Sequence, residues 1–412
     1  MSPERPPGTG VKAAVIGTGF IGTVHCEAVR RAGAQLVGIL ASTTASSRQA
    51  AERLGTRAFD SIEDLLASDA DIVHVASPNA LHASHSLEAL RAGKHVVCEK
   101  PMAVGYDQAL TMHTAAAEAG LIAAVCYNQR FYPQVHQARE LVTRGQIGKP
   151  HLVHGHYLQD WLLLDTDWNW RLDPSISGPL RAVADIGSHW LDAAQFVTGS
   201  EVVAVFAELQ TLHPQRTRPT TRQVTFSTKT TGDTSTVAVA SEDSALILLR
   251  LADGSRGCLV VSQVAAGHKN RMDLEVDGSA GSLQWNSQAP DRLVLGQRDG
   301  GNVVNLRDPA SLHESAAAVT FYPSGHVEGF AETFRGLFER VYADVASGHP
   351  SDEPAYPTFS DGLRTLAIEN AVLRSAHTGQ WQVVAGQPGD ASAPVSPVDL
   401  LSARQERGRS WG

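Results

Sequence analysis

Along the first third of the chain, short apolar runs alternate with longer stretches in which apolar positions recur at helical spacing. From Val11 the sequence VKAAVIGTGFIGTVHCEAVRRAGAQLVGIL reads as strand, glycine turn, helix and strand. SIEDLLASDADIVHVASPNALHASHSLEALRAGKHVVCEKP adds a helix, the strand DIVHVA, a second helix and the strand KHVVCE. A helix over 107–119 and the strand LIAAVCYN follow. Strands and helices in this alternation predict a mostly parallel sheet covered on both faces. This first domain, 11–130, ends near Arg130.

Beyond it the period shifts towards two. After a helix over 134–144 and another opened by Asp185, residues 201–306 carry short alternating runs punctuated by Asp253-Gly254, Asp277-Gly278 and Asp299-Gly300. Asp-Gly between alternating runs signals hairpins, so a large antiparallel sheet is expected. Helical patterns over 326–346 and 360–378 close this second domain, 131–385. The polar, Thr-rich segment 213–236 reads as a long mobile loop or a ragged edge hairpin. Residues 1–10 and the Pro-, Ser-, Gly- and Ala-rich tail 386–412 are expected to be disordered.

Composition narrows the partners. A chain of 412 residues with 42% hydrophobic and 19% charged residues is an ordinary globular one with two domains as the natural division. Its net charge of -9 argues against a sequence-independent grip on nucleic acid or anionic lipid, and small neutral partners fit better. Cys26, Cys98, Cys126 and Cys258 show no C-x-x-C spacing. No signal-type apolar stretch follows MSPERPPGTG, and no apolar run approaches the ~18 residues of a membrane span. A reduced, cytoplasmic protein without a membrane segment is the expectation.

Candidate chemistry gathers at strand ends. Gly17, Gly19 and Gly22 form G-x-G-x-x-G between the first strand and its helix, the context in which the pattern binds a dinucleotide; Thr18, Phe20 and Ile21 complete that turn. Where NAD enzymes often carry an acid for the ribose, this chain reads LASTTASSR. Ser42, Thr43 and Ser47 offer hydroxyls and Arg48 a partner for a 2′-phosphate, which leaves NAD or NADP undecided. Ser77, Pro78, Asn79 and His82, then Glu99 and Lys100, follow the next strands and belong to the same crevice. Pro101 biases Lys100 towards an extended backbone aimed into it; a surface lysine beside a turn proline is the bland alternative. In VADIGSHWLD, Asp185 and His189 share a helix face, either as an acid/base pair or as a cap followed by a half-buried histidine. Trp161, Trp168 and Trp170, set among Asp160, Asp165, Asp167 and Arg171, suit a sugar's C–H faces and hydroxyls, or equally an aromatic core patch. His154 and His156 share a strand face, with Asp185, His189 and Asp192 as further conceivable metal ligands; nothing fixes a third ligand, and metal-free acid/base work explains the same helix, so no metal is assigned.

The motifs GTGFIGTVH, SPNALH, CEKPMA and DIGSHWLD, in this order and across about Val11 to Val384, resemble the family of glucose-fructose oxidoreductase, inositol dehydrogenase and the rhizopine-catabolism oxidoreductases (Gfo/Idh/MocA). The resemblance implies an α/β N-terminal Rossmann domain and an α+β C-terminal domain with a large open, mostly antiparallel sheet. It also implies pyridine-nucleotide chemistry on a sugar or polyol, and homodimers or homotetramers formed through that sheet. By the same resemblance Lys100 is the lysine of the E-K-P motif, and Asp185 and His189 are the D-x-x-x-H pair. His189 would then exchange the proton of the reacting hydroxyl, while Lys100 and Asp185 hold it. Gly187 would leave room for nicotinamide or sugar. Tyr127, Asn128 and Arg130 resemble the stretch at the domain junction near the nicotinamide, and His326 a loop that faces the substrate. The approach SISGPLRAVAD departs from the family by its length and by Arg181. The expected substrate is a pyranose sugar, glycoside or cyclitol, with C3 of a glucose-type sugar foremost. Alternatives are an inositol-type dehydrogenase, a keto-sugar reductase, or a dinucleotide-binding sensor without turnover.

Overall fold

The computed structural model describes residues 9–220 and 233–385. The disorder expected of residues 1–8 and 386–412, and the middle of the Thr-rich segment, lie outside the described residues. The chain divides into two compact units. The first takes the described residues through Ala103, Gln108–Gln137 and Arg307–Leu363; the second takes Val104–Asp107, Ala138–Leu306 and the described chain from Arg364.

In the first unit, β1 (Lys12–Ile16), β2 (Gln35–Leu40), β3 (Ile72–Val75), β4 (His95–Cys98) and β5 (Ala123–Val125) form a parallel sheet in the order β2-β1-β3-β4-β5. These strands are short, apolar and buried on both faces, as a helix-covered parallel sheet requires. From β1 the chain leads to β2 on one side and from β3 to β4 on the other, which opens a crevice beyond the carboxyl ends of β1 and β3. The sequence reading ended this domain near Arg130 and gave 131–385 to the second. The fold instead returns Arg307–Leu363 to the first unit, because helix Phe330–Ser347 carries Phe334, Leu337, Phe338 and Val341 on one face and buries them in the same core as Cys26 and Val29 of helix Phe20–Arg31. Helical periodicity shows that such a face exists; it does not show which partner covers it.

The second unit has β6 (Pro150–Leu158), β7 (Val202–Gln210), β8 (Gln215–Pro219), β9 (Thr234–Ala238), β10 (Ser244–Leu251), β11 (Arg256–Ser262), β12 (Arg271–Gly278), β13 (Ser282–Asn286), β14 (Arg292–Gly296), β15 (Val303–Leu306) and β16 (Gln382–Val383). Nine of them form one sheet in the order β15-β14-β13-β12-β6-β11-β10-β7-β16, antiparallel except for the central pair β6 and β11. Asp253-Gly254 turns β10 into β11, Asp277-Gly278 ends β12, and Asp299-Gly300 lies between β14 and β15. β8 and β9 pair antiparallel, so the described part of the Thr-rich segment is a separate hairpin. Among the described residues no helix is long and apolar enough to cross a membrane.

Helix Ser188–Thr198 rests on this sheet, and the seat is narrow. Trp190 is fully buried and its indole N–H donates to the carbonyl of Asp273 on β12 at 2.8 Å. Opposite, on β6, a Cβ at Gly155 would stand 2.0 Å from that same carbonyl oxygen and 2.7 Å from the indole nitrogen. Gly155→Ala is therefore expected to destabilise by about 1–3 kcal/mol, as overpacking does, seen as a fall of several degrees in Tm by calorimetry. An unchanged Tm would mean the helix is not seated there.

Candidate active site

At the end of β1 the three motif glycines do different work. Gly17 has φ +104°, and a Cβ there would stand 2.2 Å from the Ala76 carbonyl oxygen; a Cβ on Gly22 would stand 2.1 Å from the Gly17 carbonyl oxygen. Both are closed to any side chain by the protein itself. Gly19 is exposed and a Cβ there would meet nothing within 4 Å, so the fold itself leaves this position open. Helix Phe20–Arg31 starts there without an acidic residue in its first turn, leaving its positive end open to a pyrophosphate. The residues fit a dinucleotide. Exposed Phe20 stacks on Phe330 with ring centroids 6.3 Å apart, Ile21 packs on the core, and Thr18 is half-buried.

Beyond β2, Ser42 is exposed, and Thr43 caps helix Thr44–Leu54 by accepting from the Ser46 N–H. Ser47 is buried and accepts from Ala41 N–H at 2.8 Å, so its hydroxyl is structural. Exposed Arg48 lies 3.4 Å from Asp60.

His82 ties two candidate loops together. Its Nδ1 lies 2.8 Å from the Pro101 carbonyl and its Nε2 2.8 Å from the Ser77 carbonyl, and burial lowers its pKa. The ring expected to meet cofactor is thus occupied on both sides by main chain. Ser77 Oγ pairs with His85, Pro78 is exposed, and Asn79 opens a short helical turn. Glu99 is buried: Oε1 lies 3.0 Å from His25 Nε2 and Oε2 accepts from the half-buried Lys100's main-chain N–H at 3.1 Å. Burial pushes the Glu99 carboxyl up, but His25 and then Lys100 outweigh it and hold the group down at about 2. Tyr127 and Asn128 are buried in this unit, Asn128 donating to Thr333 Oγ1 at 2.8 Å. Arg130 pairs with Asp361 at 2.7 Å. Exposed His326 lies in the turn before helix Phe330–Ser347, its carbonyl accepting from Arg307.

In the second unit, Asp185 lies in a π-helical turn, Val183–Gly187, that runs directly into helix Ser188–Thr198 and His189. Such turns widen a helix by one residue and recur at functional sites. Asp185 is not a cap. Its Oδ1 accepts from Arg171 Nε at 3.1 Å and its Oδ2 from Gln263 Nε2 at 2.8 Å. Arg171 lies over the Trp170 ring at 4.4 Å, so Trp170, Arg171 and Asp185 are brought together as one group. Behind them Gln263 Oε1 accepts from Arg181, and Arg181 and Arg216 both donate to the buried Asp243. The departure at Arg181 is therefore a buried support for Asp185. His189 is buried, with the Tyr157 ring centroid 6.4 Å from its own.

The expectation for Gly187 needs correction. Gly187 does not open space for a ligand: it is buried, and a Cβ there would meet Val261 Cγ2 of β11 at 3.2 Å, so it lets the helix lie on the sheet. Trp161 and Trp168 pack against Leu162, Leu172 and Val239, with Trp161 bonded to Gln159 at 2.7 Å and Arg218 over Trp168. Both stay half-buried on this patch, while Trp170 stands with Arg171 at Asp185. Among the described residues the groups that could hold a metal are His25, Glu99, Cys126 and His154, Glu275, Asp277, neither containing Asp185, His189 or Asp192. Gln263, just past the end of β11, was not singled out from the sequence; only its strand-end position hinted at it.

The sequence profile described as the oxidoreductase family with an NAD-binding Rossmann fold matches residues 11–127, and that of the GFO/IDH/MocA C-terminal domain matches 135–284. This chain is a member of the Gfo/Idh/MocA oxidoreductase family. It is similar to levoglucosan dehydrogenase of Pseudarthrobacter phenanthrenivorans, 30% identical over 81% of this chain and 85% of the relative. It is also similar to glucose-6-phosphate 3-dehydrogenase of Bacillus subtilis, 25% identical over 87% and 94%. A solved levoglucosan dehydrogenase in complex with NADH superposes with a TM-score of 0.82 at 26% identity, over 92% of this chain and all of that one. The chain is an NAD(P)-dependent oxidoreductase of the kind that acts on CH–OH groups.

The glycine geometry separates folding from binding. Gly19→Ala is expected to leave Tm within about 1 °C yet weaken dinucleotide binding roughly tenfold or more, the substituent intruding only on the ligand. Gly17→Ala is expected to lower Tm itself. Calorimetry with titration of NAD and NADP checks both; equal Tm losses would remove the distinction.

Proposed function

We propose that this enzyme oxidises a ring secondary alcohol of a pyranose sugar, glycoside or cyclitol, C3 of a glucose-type sugar foremost, in the cytoplasm, with Lys100, Asp185 and His189 acting on the reacting hydroxyl. The observation that carries the reading is Asp185: a carboxylate with each oxygen held by a different side chain, in the turn before His189. The names of the two relatives, one acting on levoglucosan and one at the 3-position of glucose 6-phosphate, support the substrate class.

His189 accepts the hydroxyl proton as the carbinol C–H bond breaks, and returns it when the ketone is reduced. Bound nicotinamide supplies the hydride acceptor, or the donor in reverse. The Lys100 ammonium donates to the reacting oxygen and stabilises its alkoxide character. Asp185, clamped by Arg171 and Gln263, orients the hydroxyl, and Trp170 offers an apolar ring beside it. Gly17 and Gly22 shape the turn that seats the pyrophosphate, Gly19 gives it room, and Ser42 offers an exposed hydroxyl beyond β2 for the ribose.

A substrate screen following reduced-nicotinamide absorbance in both directions, with NAD and NADP, tests the reading. Turnover of a glucose-type sugar is expected; exclusive turnover of myo-inositol or of keto-sugars would reassign the substrate. His189→Asn is expected to lose about 100- to 10,000-fold in kcat with dinucleotide affinity kept, the usual worth of a positioned proton acceptor. A wild-type protein that turns over no polyol and no keto-sugar would defeat the enzyme reading in favour of a dinucleotide-binding sensor.

We also propose that copies associate through the sheet of the second unit. On β10, Leu246 and Leu248 are 58% and 46% exposed while their neighbours Ala245, Ile247 and Leu249 are buried, and β15 exposes Val304 and Leu306. A sheet face with this much exposed apolar surface marks an interface. Leu248→Glu is expected to lower the mass measured by light scattering towards that of one chain. A wild-type protein already monomeric would refute the interface.

A further inference from the structure

We propose that His25, His74 and Tyr342 form a buried hydrogen-bonded relay that fixes Glu99 and, through it, the main chain at Lys100, and that all three are positioning residues for the reaction; this rests on the reading of Lys100 given above. The relay crosses the first unit. The Tyr342 hydroxyl lies 2.8 Å from His74 Nε2, His74 Nδ1 lies 3.1 Å from His25 Nδ1, and His25 Nε2 lies 3.0 Å from Glu99 Oε1. The other carboxylate oxygen takes the Lys100 N–H at 3.1 Å. His25, His74 and Tyr342 are sealed from solvent, and the rings of Phe334 and Phe338 pack edge-on against the imidazoles.

The direction of every bond follows from the two ends. Glu99 is an acceptor, so His25 carries its proton on Nε2. Tyr342 has His74 as its hydrogen-bond partner among the described residues, and a buried hydroxyl must spend its proton, so it donates to His74 Nε2. His74 then carries its proton on Nδ1 and gives it to the bare Nδ1 of His25. His74 is neutral, in agreement with the pKa that burial lowers for it. A single polarised chain results, all its donors pointing towards Glu99.

The consequence is mechanical. His25 stands on the helix that opens at the glycine turn, His74 on β3, Tyr342 on helix Phe330–Ser347, and Glu99 just past β4. The His25–Glu99 bond therefore locks the strand end that carries Lys100 to the helix whose N-terminus seats the dinucleotide. With both oxygens committed, the carboxylate next to the lysine cannot swing. Other ionisable groups facing the relay are Cys126, whose sulfur is 3.8 Å from His25 Nε2, Lys100, Cys98 and His82 around Glu99, and Cys26 beside Tyr342.

The rival occupant is a metal ion on His25 Nε2, Glu99 and Cys126, whose ligand atoms lie within 4.8 Å of one another. It would displace the Nε2 proton and reverse both tautomers, which makes the two readings distinguishable. In full-length protein labelled with ¹⁵N-histidine and assigned through His25→Gln and His74→Gln spectra, His25 is expected to carry its proton on Nε2 and His74 on Nδ1, with the His74 signals unchanged over about pH 6 to 9 where free imidazole titrates. In parallel, His25→Leu is expected to lose about tenfold or more in kcat with dinucleotide affinity kept, as when the support of a functional group is removed, whereas His25→Gln, whose amide still donates to Glu99, retains most of it. Reversed tautomers with an equivalent of bound zinc, or Leu and Gln variants of equal kcat, would overturn the proposal. A wild-type protein without activity would defeat the functional reading, while the tautomers would still decide the relay.

Discussion

Asp243, wholly buried, holds two guanidinium groups at once: Arg181 and Arg216 donate to one of its oxygens, and the main-chain N–H groups of Leu212 and His213 donate to the other. Burial alone would raise this carboxyl, but Arg181 and the donors around it keep it low and ionised. A buried charge persists only where partners surround it, and a guanidinium cannot shed its proton to escape, so the three groups lock one another's positions. Arg181 is thereby fixed, and it donates to Gln263, which donates to Asp185. The aim of the carboxylate next to His189 is inherited from an ion cluster that solvent does not reach.

The first unit reaches a comparable end by other chemistry. Glu99 is also a buried carboxylate with both oxygens engaged, but its support is imidazole and main chain, without a guanidinium. Permanently charged arginines give support that does not vary with pH. Histidines give it only while their protons stay where the neighbours direct them, which explains why the relay behind Glu99 is sealed by aromatic rings. The glycine turn completes this unit: two of its glycines are demanded by contacts within the fold and one by nothing in the fold.

Sequence reasoning reached what adjacent residues encode. The strand and helix alternation, the Asp-Gly hairpins and the glycine motif each need only a dozen or so neighbouring residues, and the parallel and antiparallel sheets follow from them. It could not see partners separated by long stretches of chain. Helix Phe330–Ser347 had a legible apolar face, yet its partner Val29 lies about three hundred residues away, so its return to the first unit was not legible. Trp161 and Trp168 carried equal weight with Trp170 because all three have the same composition around them; only the fold puts Leu172 and Val239 against the first two and Arg171 against the third. Gly187 and His82 were read towards a ligand for the same reason. A glycine facing a strand and a histidine facing two carbonyls look, in sequence, like a glycine and a histidine facing a cleft.

The segment SISGPLRAVAD, which departs from the family pattern, supplies the last link. Arg181 and Val183 both donate their main-chain N–H groups to Glu242 Oε1 at 2.9 Å, so a buried carboxyl terminates the chain of donors at the start of the helix. The main chain at Arg181 is held there while its side chain is held at Asp243, two attachments in neighbouring residues of one strand approach. The helix must begin at a fixed point, and its first turn is fixed by Trp190 against the Asp273 carbonyl. Between the two anchors the backbone takes a π-helical turn at Val183–Gly187, accommodating one more residue per turn than an α-helix does. That turn contains Asp185. The wider turn thus falls at the position whose side chain meets Arg171 and Gln263, so the anchored approach and the clamped carboxylate are two parts of one structural solution.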